Sequence, residues 1–117
     1  ILTGLDLLIV GSPTRGFRPS KAVFDFLKEM RDLKGVKVAA FDTRLAVSEM
    51  KSPFRVFIKM GGYAAKRIAR ILSEKNGDLI IPPEGFLVIG EKGPLKEGEL
   101  ERASEWAKQI IELIKSK

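Results

Sequence analysis

Three short segments of the 117-residue chain concentrate the groups that can hold or polarise a ligand. They are Gly11-Ser12-Pro13-Thr14-Arg15-Gly16-Phe17-Arg18-Pro19, Asp42-Thr43-Arg44, and Gly90-Glu91-Lys92-Gly93-Pro94-Leu95-Lys96. Glycine and proline fix sharp turns and let backbone approach a bound molecule, and Ser12, Thr14 and Thr43 bring hydroxyls. Arg15, Arg18 and Arg44 bring planar cations, and Phe17 brings an aromatic face. The combination suits a flat, polar or anionic heteroaromatic ligand.

The rest of the composition narrows the chemistry. The sequence has no Cys and no His. Disulfides, thiolate metal sites, imidazole acid/base catalysis and Ser-His or Cys-His hydrolysis are therefore excluded. Carboxylates, Lys, Tyr63 and hydroxyls remain, and these bind and polarise but do not by themselves carry redox chemistry. Such chemistry must come from a bound cofactor, and no side chain is assigned a catalytic or metal-ligating role.

Each ligand-holding segment must sit at the end of an element that positions it. Leu5 to Val10 is a nearly continuous apolar run, as expected of a strand covered on both faces, and Gly11-Ser12-Pro13 ends it. Val23, Phe24, Leu27 and Met30 recur at helical spacing between Ser20 and Leu33, with Lys34-Gly35 as the stop. Val36 to Phe41 predicts a second strand ending in a turn at Asp42-Thr43-Arg44, which completes one right-handed βαβ unit. Ser52-Pro53 reads as an N-cap and first helical position of a segment through Phe54, Phe57 and Ile58, interrupted at Gly61-Gly62.

A further helix is expected from Tyr63 to Lys75, with the stripe Ala65, Ile68, Ala69, Ile71 and Leu72 and a stop at Asn76-Gly77. Asp78 to Ile81 and Phe86 to Ile89 are two apolar runs split by Pro82-Pro83-Glu84-Gly85, the second read as the central strand and the first as an edge or lead-in. Leu100, Ala103, Trp106, Ala107, Ile110, Ile111 and Ile114 trace a long helix from Glu97 to the C-terminus, which makes Trp106 a core residue. Alternating strands and helices predict a single α/β domain over residues 1–117, a doubly wound open parallel sheet in three layers. About three parallel strands are few for this architecture, so an amino-terminal part is expected to be missing.

Net charge is +6, from 21 Lys and Arg against 15 Asp and Glu. The basic residues are interspersed, and Lys66, Arg67, Arg70 and Lys75 read as a solvated helix face. No aromatic-basic motif points to nucleic acid, and no apolar run is long enough for a membrane span. A soluble, cytoplasmic protein is expected. Abundant Lys, Glu and Ile with few amides suggest a thermophile.

Asp6-Leu7-Leu8-Ile9-Val10-Gly11-Ser12-Pro13-Thr14 resembles the third strand and following loop of flavodoxin-like proteins, and Phe41-Asp42-Thr43-Arg44 the fourth strand and its loop. Gly62-Tyr63-Ala64-Ala65, Pro83-Glu84-Gly85-Phe86 and Gly93-Pro94-Leu95-Lys96-Glu97-Gly98-Glu99-Leu100-Glu101-Arg102-Ala103 are similar to segments of small prokaryotic flavodoxin-family proteins.

The resemblance implies an FMN-binding flavoprotein acting in electron transfer or as an oxidoreductase of quinone-type small molecules. Its cofactor-binding residues would be Ser12, Pro13, Thr14, Arg15, Gly16 and Phe17 on one side of the isoalloxazine, with Asp42, Thr43 and Arg44 on the other. The family's first strand and its Ser/Thr/Gly-rich phosphate loop have no counterpart here. The Trp or Tyr stackers of short flavodoxins are also absent, which leaves Phe17, an Arg plane or Tyr63. The implied partner is an acidic redox protein or a small-molecule electron acceptor; were residues 1–117 the whole molecule, an open Leu5–Val10 edge would pair with another chain, as in a homo-oligomer, or aggregate. Two other readings are a flavodoxin-like interaction module without cofactor and a phosphate-accepting receiver domain using Asp42 and Lys92.

Overall fold

A computed structural model describes residues 4–14, 19–45, 64–90 and 94–115. The expected helix opening at Ser52-Pro53 lies outside them, as do Arg15, Gly16, Phe17, Arg18, Tyr63 and Lys92.

Along the chain come β1 (Leu7–Pro13), α1 (Lys21–Glu29), β2 (Lys37–Leu45), α2 (Ala64–Glu74), β3 (Asp78–Leu79), β4 (Glu84–Val88) and α3 (Glu99–Lys115). All strand pairings are parallel. β2 is the middle strand, with β1 on one flank and both β3 and β4, in succession, on the other. The sequence expectation of a central strand at Phe86 to Ile89 is therefore corrected: β2 is the one strand that β4 pairs with among the described residues, apart from an isolated bridge to Leu95. β3 is the expected lead-in. Lys37 pairs with Asp78 but Phe41 with Glu84, so two residues bulge out where Pro82 and Pro83 lack the N–H needed for a ladder.

Helices cover both faces, which gives the three layers. On one face Leu27, Met30 and Leu33 from the α1 region and Ile68, Ala69 and Leu72 of α2 pack on Val10, Val38 and Ala40. On the other, Trp106 and Ile110 of α3 pack on Ala39, Ile81 and Phe86. The sheet centre uses alanines, so both helix layers sit close to the backbone.

Local chemistry explains the helix ends. The Ser20 hydroxyl accepts the Val23 N–H (3.4 Å) and caps α1. That helix stops at Glu29 rather than Leu33, because Met30 to Leu33 are taken up by the end of α2. The Leu33 N–H donates to the Lys75 carbonyl (2.7 Å), and Lys75 Nζ donates to the Met30 carbonyl (2.6 Å). α2 ends in a Schellman turn: Gly77 N–H donates to the Leu72 carbonyl and Asn76 N–H to the Ser73 carbonyl, with Asn76 at φ 74°.

Candidate functional site

Parallel pairing places the carboxyl ends of β1, β2 and β4 on one rim, where loops and helix N-termini converge in open α/β sheets. Register then sets the neighbours. Ser12 lies opposite Asp42 and Gly85 is on its far side; Pro13 lies opposite Thr43, with Phe86 beyond. The Thr14 N–H extends the ladder by donating to the Thr43 carbonyl (2.9 Å).

Two sequence-based boundaries change. β1 runs on through Ser12 and Pro13, and β2 runs on through Leu45, so Asp42-Thr43-Arg44 is strand and not a turn. The physical reason is pairing: residues 41–45 are held by β4, a ladder partner about forty residues away that local turn residues do not reveal. As strand residues, these side chains alternate between faces. Ser12, Asp42 and Arg44 go to the face covered by α1 and α2, while Pro13 and Thr43 go to the α3 face.

Asp42 is the most constrained of them. Its side chain is fully buried and accepts a two-pronged bond from Arg44, Nε to Oδ1 at 2.6 Å and Nη2 to Oδ2 at 2.8 Å. It also accepts the Ala65 N–H at 2.7 Å, so it caps α2 from the sheet face that this helix covers. Arg44 reaches it by lying over Gly85, where a Cβ would stand 2.0 Å from the guanidinium carbon. An equivalent arrangement holds on the opposite face: a Cβ on Gly11 would stand 2.1 Å from the Phe41 ring. Glycine on each neighbouring strand thus makes room for one long side chain of β2.

Ser12 is likewise occupied. Its hydroxyl accepts the Ser20 N–H (2.9 Å) and donates to the Pro13 carbonyl (2.8 Å), which ties the two ends of the loop between β1 and α1 together. Ser12 and Asp42 therefore shape the rim from within. Thr14 is half-buried and its hydroxyl accepts a long bond from the Ala64 N–H (3.5 Å). Thr43 is half-buried and its hydroxyl makes no hydrogen bond among the described residues, while Pro13 is exposed. Pro13, Thr14 and Thr43 are the described candidates that present themselves outward.

Beneath Thr43 lies an aromatic triad. Phe41, Phe86 and Trp106 meet edge to face with ring centroids 5.8–5.9 Å apart. Trp106 is core, as its spacing indicates, although its buried Nε1 has no hydrogen-bond partner among the described residues.

Sequence reasoning passed over the clamp beside this triad. Arg102 stacks on Phe86, 4.9 Å from the ring centre, and bonds Glu99, Glu84 and the Gly85 carbonyl. Glu99 also accepts the Leu87 N–H (2.6 Å). Arg102 and then the Leu87 amide hold the Glu99 carboxyl down at about 2, against the opposing effect of desolvation. The i,i+3 spacing of Glu99 and Arg102 was the available signal. After β4 the chain folds back, with an isolated antiparallel bridge between Val88 and Leu95. Among the described residues no cluster of carboxylates could hold a metal ion, and no helix is long and apolar enough to cross a membrane.

No protein-family model matches the sequence, and no curated protein does. The fold is similar to that of oxidised flavodoxin 1 from Bacillus cereus, with a TM-score of 0.69 and 19% identity over 92% of this chain. The chain spans 65% of that flavodoxin's length. Together with the parallel sheet and its two helical layers, this likeness shows a flavodoxin-like α/β fold.

Proposed function

We propose that this chain is an FMN-binding domain that passes electrons to a redox partner protein or reduces a quinone-type small molecule. The observation that carries the reading is the rim itself. Two adjacent parallel strand ends bring Pro13 opposite Thr43 on the α3 face and Thr14 beside them on the α2 face, in a flavodoxin-like fold, at the edge where such sheets take ligands.

The donor set fits the ring end of FMN. Thr14 and Thr43 offer hydroxyls and Pro13 an apolar edge, while Arg44, paired with Asp42, sits just inside the rim. Arg15, Gly16 and Phe17 belong to the same loop, whose base Ser12 closes. The FMN phosphate would have to be held by residues beyond those described. When bound, FMN supplies the one- and two-electron redox chemistry that this chain's own side chains lack. The chain's part is to orient the ring and keep water from its buried side.

The test is titration of the purified protein with FMN, followed by loss of flavin fluorescence and of emission from Trp106, the sole tryptophan. We expect saturable quenching of both, and weaker binding in Thr43→Val by about 5- to 20-fold, the loss of one hydrogen bond to a polar ligand. A protein that takes up no FMN would favour the alternative of a cofactor-free interaction module. The internal saturation of Ser12 and Asp42 is the observation consistent with that alternative.

A further inference from the structure

The two flanks of the sheet end differently. In a parallel ladder, alternate residues of a strand turn their backbone groups to the same side. On β4 the odd-numbered residues turn away from β2, and their outward groups are satisfied. The Gly85 N–H donates to Glu84 (2.9 Å) and its carbonyl accepts from Arg102. The Leu87 N–H donates to Glu99 (2.6 Å) and its carbonyl accepts the Lys96 N–H (2.8 Å), while the Ile89 N–H donates to the Pro94 carbonyl (3.0 Å). That edge is closed by side chains and by the returning chain, and β3 beside it is only two residues long.

The outer edge of β1 has no such cover among the described residues. The Asp6 carbonyl accepts the Lys37 N–H (3.1 Å) and the Thr14 N–H donates to the Thr43 carbonyl, so even-numbered positions face β2. Leu7, Ile9, Gly11 and Pro13 therefore turn outward. Pro13 has no N–H to give, and its carbonyl accepts the Ser12 hydroxyl. Three N–H groups and three carbonyls are left, on Leu7, Ile9 and Gly11. The stretch Leu7 to Gly11 carries no charge, proline or bulge, the devices that blunt an edge. On its α3 face Ile9 is 41% exposed and Leu7 half-buried, whereas Val10 on the other face is buried.

We propose that a second copy of this chain pairs with β1 antiparallel, across a two-fold axis centred on Ile9. The register follows from the outward groups. Ile9 exchanges both backbone bonds with Ile9 of the second copy, and Leu7 does so with its Gly11. The set reads the same in both directions along the strand, so no outward N–H or carbonyl is left over. An axis normal to the sheet keeps both α3 faces on one side. The two Ile9 side chains then meet, and Leu7 of one copy lies beside the Phe41 ring that covers Gly11 of the other. An unrelated extended peptide could meet the same backbone groups, but the second copy also sets glycine against Leu7. Pairing stops before Pro13, which leaves each ligand rim outside the interface. So short an interface falls in the small, transient class, below about 1,200 Å². The proposal does not rest on the flavin reading.

The test is sedimentation velocity over about a thousandfold range of protein concentration. We expect a reversible monomer–dimer equilibrium with no larger species, because the β4 edge is closed. Ile9→Lys should weaken the dimer at least about tenfold, as charge on an edge strand does. A second readout does not depend on that variant's folding. The chain has no Cys, and Cα atoms of a hydrogen-bonded antiparallel pair stand about 5.5 Å apart, within disulfide reach. Ile9→Cys should therefore crosslink two copies on mild oxidation. Leu7→Cys should not, since its twin lies about four residues, roughly 14 Å, along the strand. A monomer at every concentration overturns the proposal, and slow hydrogen exchange at Leu7, Ile9 and Gly11 in that monomer would mean that another part of the chain covers the edge. Growth into larger species, a dimer indifferent to Ile9→Lys, or equal crosslinking of the two cysteine variants overturns it as well.

Discussion

Asp42 shows how a polar residue at a ligand rim can be spent on structure. A carboxylate with no exposure is tolerated because three donors surround it, two from Arg44 and one from the start of α2. Removing Arg44 strips two of them. Arg44→Met should therefore destabilise the protein by about 3 kcal/mol, read from urea denaturation, with much of the loss recovered when Asp42→Asn is added. Gly85→Ala should act through the same bond, because the new Cβ occupies the space of the guanidinium. In the Arg44→Met background it should cost far less than in the wild type, and additive losses would count against this account. Ser12 and Gly11 belong to the same class, as they shape the site without facing the ligand.

At the level of elements, stability rests on how helix ends are joined to the sheet. Asn76 closes α2 in the left-handed region and donates to Asp32 (2.9 Å), a bond that holds the Asp32 carboxyl below its ordinary value. Asn76→Ala should cost about 1 kcal/mol in thermal or chemical unfolding, whereas Asn76→Gly should stay within about 0.5 kcal/mol because glycine accepts that φ freely. The start of α3 is joined to β4 through Glu99, whose carboxyl titrates at about 2 in the folded chain instead of its usual 4.5. A depressed carboxyl stabilises the fold above its unfolded pKa and loses that contribution as pH falls through the folded value. Acid unfolding should accordingly steepen between about pH 4.5 and pH 2, and Glu99→Gln should flatten that limb while lowering stability at neutral pH.

For the molecule as a whole, a parallel sheet sends the ends of β1, β2 and β4 to the same rim, so one edge gathers the candidate ligand groups. Ligand binding at that edge stabilises the native state by mass action. FMN at about a hundredfold over its dissociation constant should raise unfolding free energy by about 2.7 kcal/mol, measured as a shift in the denaturation midpoint. An unchanged midpoint at saturating FMN would sink the cofactor reading independently of any spectroscopic signal.

How much of this could be read in the sequence depends on the range of the interaction. Apolar runs at Leu5 to Val10 and Val36 to Phe41, helical spacing at Ile68 and Leu72 or Trp106 and Ile110, and the Asn76-Gly77 stop are local features. They specified the strand and helix order and the core, because burial and backbone conformation follow from residues three or four apart. Which polar groups at the rim remain open to a ligand was decided only in three dimensions. Asp42 is consumed by Ala65, twenty-three positions on, and Ser12 by Ser20, while Arg44 depends on the space left by Gly85. Such contacts follow from strand register and helix docking, which no short-range pattern encodes, so the sequence determined where a site would form and the tertiary structure decided which of its side chains face outward.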